Sequence, residues 1–161
     1  MVGMRSEIRV MDAIDKRILR LVQKDASLSI SEIASQVGLS QTPCWKRLQK
    51  LEALGIIKRR IALLDPLKLG LQMTVFVLIE IDSHSQQDIE HFAEEIAQME
   101  EVLDVYRMAG DIDYLLRVIV PNAAAFDAFY KRLISLTPLK KVTSRFALEG
   151  IKTETALPIA N

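Results

Sequence analysis

The sequence predicts an α+β chain of two units, a helical front followed by a four-stranded sheet carrying two helices. Three observations predict it. Apolar residues recur at helical spacing from Ile14 to Leu54. From Met73 onward the apolar pattern changes to strands separated by two helical stretches. The charge divides at the same place: residues 1–65 carry 12 Lys/Arg against 7 Asp/Glu, and residues 66–161 carry 9 against 14. A basic front joined to an acidic rear suits a nucleic-acid-binding module attached to a unit kept off nucleic acid.

Met1–Met11 reads as a loose arm. Asp12 then caps a helix whose apolar stripe is Ile14, Ile18, Leu21 and Val22, with Arg17, Arg20 and Lys24 on the solvated side. Too short to bury that stripe alone, it should pack across the next two helices. Ser29 stands three residues before Glu32, the spacing of a capping box. Ile30, Ile33, Ala34 and Val37 give the next helix one apolar face. Gly38 supplies a permissive backbone for a turn, and Leu39 can plug the angle between helices. Ser40 is a good N-cap for a further helix, with Pro43 in its first turn, where a missing N–H has no helical partner anyway.

That helix sorts into two faces. Cys44, Leu48, Leu51 and Leu54 point inward. Thr42, Trp45, Lys46 and Gln49 point outward, Gln41 and Lys50 lie beside them, and Arg47 is on the flank. A solvated helix normally carries mixed charge outside; this one presents hydroxyl, amide, indole and cations, with Glu52 its single acid. Such groups hydrogen-bond base edges, stack, or meet phosphates. The arrangement is a helix-turn-helix, and Gln41–Lys50, entered through Ser40, is its candidate recognition helix. Gln41, Thr42, Trp45 and Gln49 are the candidate base readers. Lys46, Arg47, Lys50, Lys58, Arg59 and Arg60 are the candidate phosphate contacts. Trp45 has a second possible role, covering the joint between helices.

After Gly55, Ile56, Ile57, Ile61, Leu63 and Leu64 predict a short hairpin or an extended wing around the basic run Lys58–Arg60. Asp65-Pro66 stops it. The domains are therefore 1–65 and 72–161, with 66–71 as linker and Gly70 as its break. Strands are predicted at Met73–Ile81, Val102–Met108, Tyr114–Val120 and Lys140–Ile151, then an extended tail over Thr153–Ile159. Helices are predicted over Asp88–Met99 and after Pro121-Asn122. Ile89, Phe92, Ala93, Ile96 and Met99 form the inner face of the first; Phe126, Phe129, Tyr130, Leu133 and Ile134 form that of the second. This order is that of a ferredoxin-like sandwich, with both helices on one face of an antiparallel sheet. Val75, Val77, Ile79 and Val118 alternate with Phe76, Leu78 and Ile119, so the second face is apolar too. A second copy of the chain would cover it most simply.

Composition narrows the function. Half the residues are hydrophobic, enough for real cores. One cysteine, Cys44, excludes an intramolecular disulfide framework, fits a reducing cytoplasm, and is expected to pack inward. The opening MVGMRSEIRVMD has no apolar segment of a signal peptide, and no apolar run approaches membrane-spanning length. His84 and His91, with Asp88 and Glu90 between them, form no compact metal-ligand set. An enzyme would need a nucleophile with a base, or a metal set, and neither is present; no cofactor is expected.

Three stretches carry a resemblance. MDAIDKRILRLVQKDASLSISEIASQVGLSQTPCWKRLQKLEALGIIKRRIALLDPLKLG, MAGDIDYLLRVIV and VTSRFALEGIKTETALPI together make the chain similar, over nearly its whole length, to the leucine-responsive/asparagine regulator (Lrp/AsnC) family of bacterial and archaeal transcription regulators. The resemblance implies a winged helix-turn-helix that binds double-stranded DNA and a ferredoxin-like domain that binds a small effector, usually an amino acid. It also implies homodimers built on the sandwich sheets and assembled into tetramers or octamers. The TPCWKRL stretch looks most like members that control amino-acid breakdown, including cysteine-detoxification regulators.

The resemblance places the effector near the turn between the second and third sandwich strands, at an interface between dimers. Here that turn is Met108, Ala109, Gly110, Asp111, Ile112, Asp113 and Tyr114. Gly110 lets backbone approach a ligand and leaves amides free for an α-carboxylate. Asp111 or Asp113 could take the α-ammonium. Thr143 and Ser144 offer hydroxyls, and Met108 and Val142 could shape a side-chain pocket. Without the family, Gly110-Asp111 would read simply as a hairpin turn. Two positions depart from the family pattern: Ile112, where an aromatic residue is common, and Leu139, where a glycine often follows the proline. An effector-independent, nucleoid-type architectural protein is the alternative reading of the same residues.

Overall fold

A computed structural model describes residues 11–82 and 86–160, except for the side chains of 86–88. The predicted arm over Met1–Met11, apart from its last residue, and His84 fall outside these residues. The chain forms two compact units.

The first unit contains helices α1 (Ala13–Val22), α2 (Ile30–Val37) and α3 (Gln41–Ala53). Each start has its origin in local chemistry. The Asp12 carboxylate accepts from the Ile14 and Asp15 amides, both at 2.9 Å, and Asp15 reaches back to the Asp12 amide. Ser29 and Glu32 form the same reciprocal box on α2. Gly38 closes α2 with φ +75°, a left-handed conformation that L side chains rarely adopt. Ser40 occupies the N-cap of α3 with extended dihedrals, yet its hydroxyl makes no capping bond. The predicted cap is therefore one of position only.

The three helices bury Ile18, Leu19, Ile33, Ala34, Val37, Cys44, Leu48 and Leu51 in one core. Each large aliphatic side chain buried there contributes roughly 1.5–3 kcal/mol of transfer free energy. Leu54 departs from the expected inward stripe and is 43% exposed, because α3 ends at Ala53. Gly55 turns the chain with φ +69°, and the amides of Ile56 and Ile57 both return to the Leu51 carbonyl. These two isoleucines cover the core in place of Leu54.

Residues 58–65 then run without strand pairing, so the expected hairpin does not form and the extended wing does. Ile61, Leu63 and Leu64 are 60–70% exposed along it. A second difference lies at the far end of the chain. Residues 152–160 group with the first unit rather than with 72–151. Ile159 packs on the helical core, the Gln23 side chain both donates to and accepts from the Leu157 backbone, and Arg20 donates to the Ile159 carbonyl.

In the second unit a short 3-10 turn (Leu67–Leu69) ends at Gly70 and leads into β1 (Met73–Ile81). Next come α4 (Gln86–Ala97), β2 (Val102–Arg107), β3 (Tyr114–Val120), α5 (Ala123–Ser135) and β4 (Leu139–Phe146). The antiparallel sheet has the order β2-β3-β1-β4, the ferredoxin-like arrangement. Val75, Val77, Ile79, Leu116, Val118 and Val120 face the helices and are fully buried with Phe92, Ile96, Phe129 and Leu133. Ile134, expected inside, is 45% exposed. Phe76, Leu78, Leu115 and Ile119 lie on the opposite face, none of them fully buried.

β4 stops at Phe146 rather than Ile151. Its partner β1 begins at Met73, and the ladder ends where the Ala147 amide bonds the Thr74 carbonyl, so no strand is left to pair the residues toward Ile151. Leu148 and Ile151 are left almost fully exposed.

Candidate functional site

The outward face of α3 is polar, cationic and open. Ser40, Gln41, Thr42, Lys46, Gln49 and Lys50 are exposed, and Trp45 is 50% exposed. Among the described residues no group hydrogen-bonds to the side chains of Gln41, Thr42, Trp45, Lys46 or Lys50. Trp45, Thr42 and Gln41 line a shallow depression of about 300 Å³ together with Ile30 from the first turn of α2. By spacing, Ile30 has only a place in an apolar stripe; its position at N1 of α2 is the signal that could have found it.

The structure separates the remaining cations into two groups. Lys58 and Arg59 are exposed on the wing. Arg60 is paired with Glu52 at 2.9 Å, and Gln49 also donates to Glu52. The lone acid of α3 is thereby neutralised. Arg47 is bound inside its own unit: its Nη1 lies 2.6 Å from Asp12 and 2.7 Å from Asp15. The Asp12 carboxyl is held below its usual value, first by the Asp15 amide and then by Arg47. Arg47 therefore ties α3 to the start of α1, a role its flank position did not reveal.

The second candidate site is the turn between β2 and β3. Met108, Ala109, Gly110 and Asp111 are all exposed, and Gly110 has φ +134°, where a side chain would be strained. Asp113 is differently placed. Its carbonyl accepts from the Met108 amide, its amide donates to Ile79, and its carboxylate accepts from the Ile81 amide at 2.8 Å. The side chain thus continues the β1–β3 ladder one step past the end of β3. Tyr114 is 3% exposed, stacks edge-on against Phe92, and donates its hydroxyl to the Ile89 carbonyl. Burial pushes its phenol above the usual pKa. Of the two acids in the turn, Asp111 is the exposed one.

Val142, Thr143 and Ser144 lie on β4, opposite Ile79, Leu78 and Val77 of β1. Strand alternation puts Thr143 on the open face of the sheet and Ser144 on the helix side. β1 stands between these residues and the row that begins at Tyr114, which separates them by two strand spacings, about 10 Å. A single chain therefore does not gather the turn and the two hydroxyls around one ligand.

Comparison with known proteins now decides the family. Residues 11–58 match the winged helix-turn-helix DNA-binding model, and residues 74–157 match the Lrp/AsnC ligand-binding domain. The chain belongs to the Lrp/AsnC family. It is a DNA-binding transcription regulator with a ligand-binding domain. Among its Lrp/AsnC relatives, the DNA-binding transcriptional activator DecR of Escherichia coli is 48% identical over 93% of this chain and 99% of its own. The glutamate uptake regulatory protein of Zymomonas mobilis is 43% identical over 94% and 93%. An AsnC-family regulator from Agrobacterium tumefaciens has the same fold, with a TM-score of 0.90 and 51% identity over 92% of this chain and 97% of that one. A Neisseria meningitidis regulator solved as an L-methionine complex gives 0.88 and 33% over the same shares. Among the described residues no helix is long and apolar enough to cross a membrane. The match to a ligand-binding domain disfavours the purely architectural alternative.

Proposed function

We propose that this regulator controls genes of amino-acid metabolism in the cytoplasm, and that a free amino acid bound between dimers tunes it. The observation that carries the proposal is the exposed turn at Met108–Asp111 with Gly110 at φ +134°. Gly110 lets its neighbouring amides approach an α-carboxylate, and Asp111 supplies a countercharge for the α-ammonium. One protomer leaves this turn open, so a second dimer would have to enclose the ligand. The relative with bound L-methionine supports an amino acid as the ligand class.

Two features support self-association. Phe76, Leu78, Leu115 and Ile119 make an apolar second face on the sheet, and Ile61, Leu63 and Leu64 run unpaired along the wing. Either surface would be costly to leave in water and is suited to a second copy. The effector then acts only by favouring one arrangement of dimers over another. On DNA, the two recognition helices of a dimer would read half-sites about one helical turn apart, or a multiple of it. Gln41, Thr42, Trp45 and Gln49 face the bases, and Lys46, Lys50, Lys58 and Arg59 face phosphate.

Light scattering after size exclusion, without ligand and with each of the twenty amino acids, tests the effector. A change of mass or shape with one or two of them, together with binding heat that Asp111→Ala abolishes, is expected. Constant assembly and no heat with all twenty would overturn it.

A further inference from the structure

The depression lined by Ile30, Gln41, Thr42 and Trp45 is out of character with its surroundings. Lys46 and Lys50 are exposed on the same helix, yet an isoleucine and an indole line the depression beside Gln41 and Thr42. Apolar surface left at the centre of a polar, cationic face is unfavourable in water and becomes favourable when covered. The cations fit a polyanion, and the largest apolar group on the base edges of the DNA major groove is the 5-methyl of thymine. We propose that Ile30 and Trp45 form a seat for the methyl group of one thymine per half-site. Thr42 and Gln41 lie beside the same depression, where their unpaired side chains meet the edges of that base pair and its neighbour. Ile30 thereby becomes a specificity-determining residue outside the recognition helix. This rests on α3 entering the major groove, as the proposed function requires.

The experiment begins with a duplex enriched from a random pool by the full-length protein. Each thymine is then replaced singly, and in both half-sites together, by deoxyuridine. That change removes the methyl and keeps every hydrogen-bonding group. One thymine per half-site is expected to respond, with affinity falling about three- to tenfold for the paired replacement, the scale of one or two buried methyl groups. In Trp45→Ala and Ile30→Val the same replacement should matter less than in the wild type, with each variant shown folded by its thermal melt. Specific binding that tolerates uracil at every position would overturn the seat while leaving the regulator intact. A uracil penalty of equal size in wild type and both variants would overturn it as well. Failure to enrich any duplex would instead remove the DNA-reading function, and the seat with it.

Discussion

Arg47 and Asp15 lie 2.7 Å apart, and Asp15 is only 3% exposed. They join α3 to α1 across 32 residues of sequence. A carboxylate this buried is stable in its site because the guanidinium meets it. Arg47→Ala leaves that charge without its cationic partner and should cost about 3 kcal/mol, the lower end for a broken buried pair because Arg47 is part-exposed. Urea unfolding followed by the fluorescence of Trp45, the chain's one tryptophan, measures it. Wild-type stability in this variant would contradict the role.

Lys46 is the contrasting neighbour. It is exposed and has no partner among the described residues. Lys46→Ala should leave the urea midpoint within about 0.5 kcal/mol of wild type. It should weaken binding to all DNA sequences alike and lower the slope of log K against log salt by about 1. Unchanged slopes across a salt series would remove Lys46 from the phosphate contacts.

Asp12 makes the stability of this unit pH-dependent in a defined direction. Its carboxyl sits below the usual value near 3.8, held there by the Asp15 amide first and Arg47 second. The unfolded chain therefore takes up this proton more readily than the folded one. The stabilisation is complete above roughly pH 5 and is lost as pH falls through the depressed folded value. Asp12→Asn should differ from wild type most at neutral pH, and the two should converge in thermal melts as pH falls through the depressed folded value. A difference that grows on acidification would refute the sign.

The tail over 152–160 should act as part of the N-terminal unit. Ile159→Ala removes a half-buried side chain from the helical core and is expected to cost about 1 kcal/mol by the Trp45 signal. Gln23→Ala removes the paired hydrogen bonds to Leu157 and should act in the same direction. Unaltered midpoints in both variants would show that the tail does not dock in solution.

Cys44 should be inert while the chain is folded. It is fully buried, and burial raises its thiol pKa, so both access and thiolate population are low. A thiol reagent at neutral pH should react no faster than the unit opens, and should react at once in denaturant. Rapid modification of native protein would contradict this burial.

Most of the architecture is legible because it is written in local patterns. Asp12 and Ser29 as caps, Gly38 as a turn, the stripe Ile33–Ala34–Val37 and the β-α-β-β-α-β order are relations between residues a few positions apart. The misreadings fall where the decision is not local. Leu54 continues the stripe of α3 by spacing, but the helix ends one residue earlier. Leu148 and Ile151 have strand-forming composition, but β1 offers them no partner. Arg47 and Lys46 both read as phosphate contacts on one helix, and Asp111 and Asp113 both read as acids for an ammonium on one turn.

Periodicity, capping and turn chemistry act over a few residues and survive in any tertiary setting. For that reason the three-helix front, the four-stranded antiparallel sheet and the family can all be read from the amino-acid order. Which charges remain available is settled by packing instead. Packing commits Arg47 to Asp12 and Asp15, Arg60 to Glu52 and Asp113 to the Ile81 amide, and it brings Ile30 beside Trp45 and Ile159 onto the helical core. Apart from the Arg60 pair, those partners lie from 15 to well over 100 residues away in the chain. Contacts at such separations depend on how whole helices and strands meet, which no local pattern encodes.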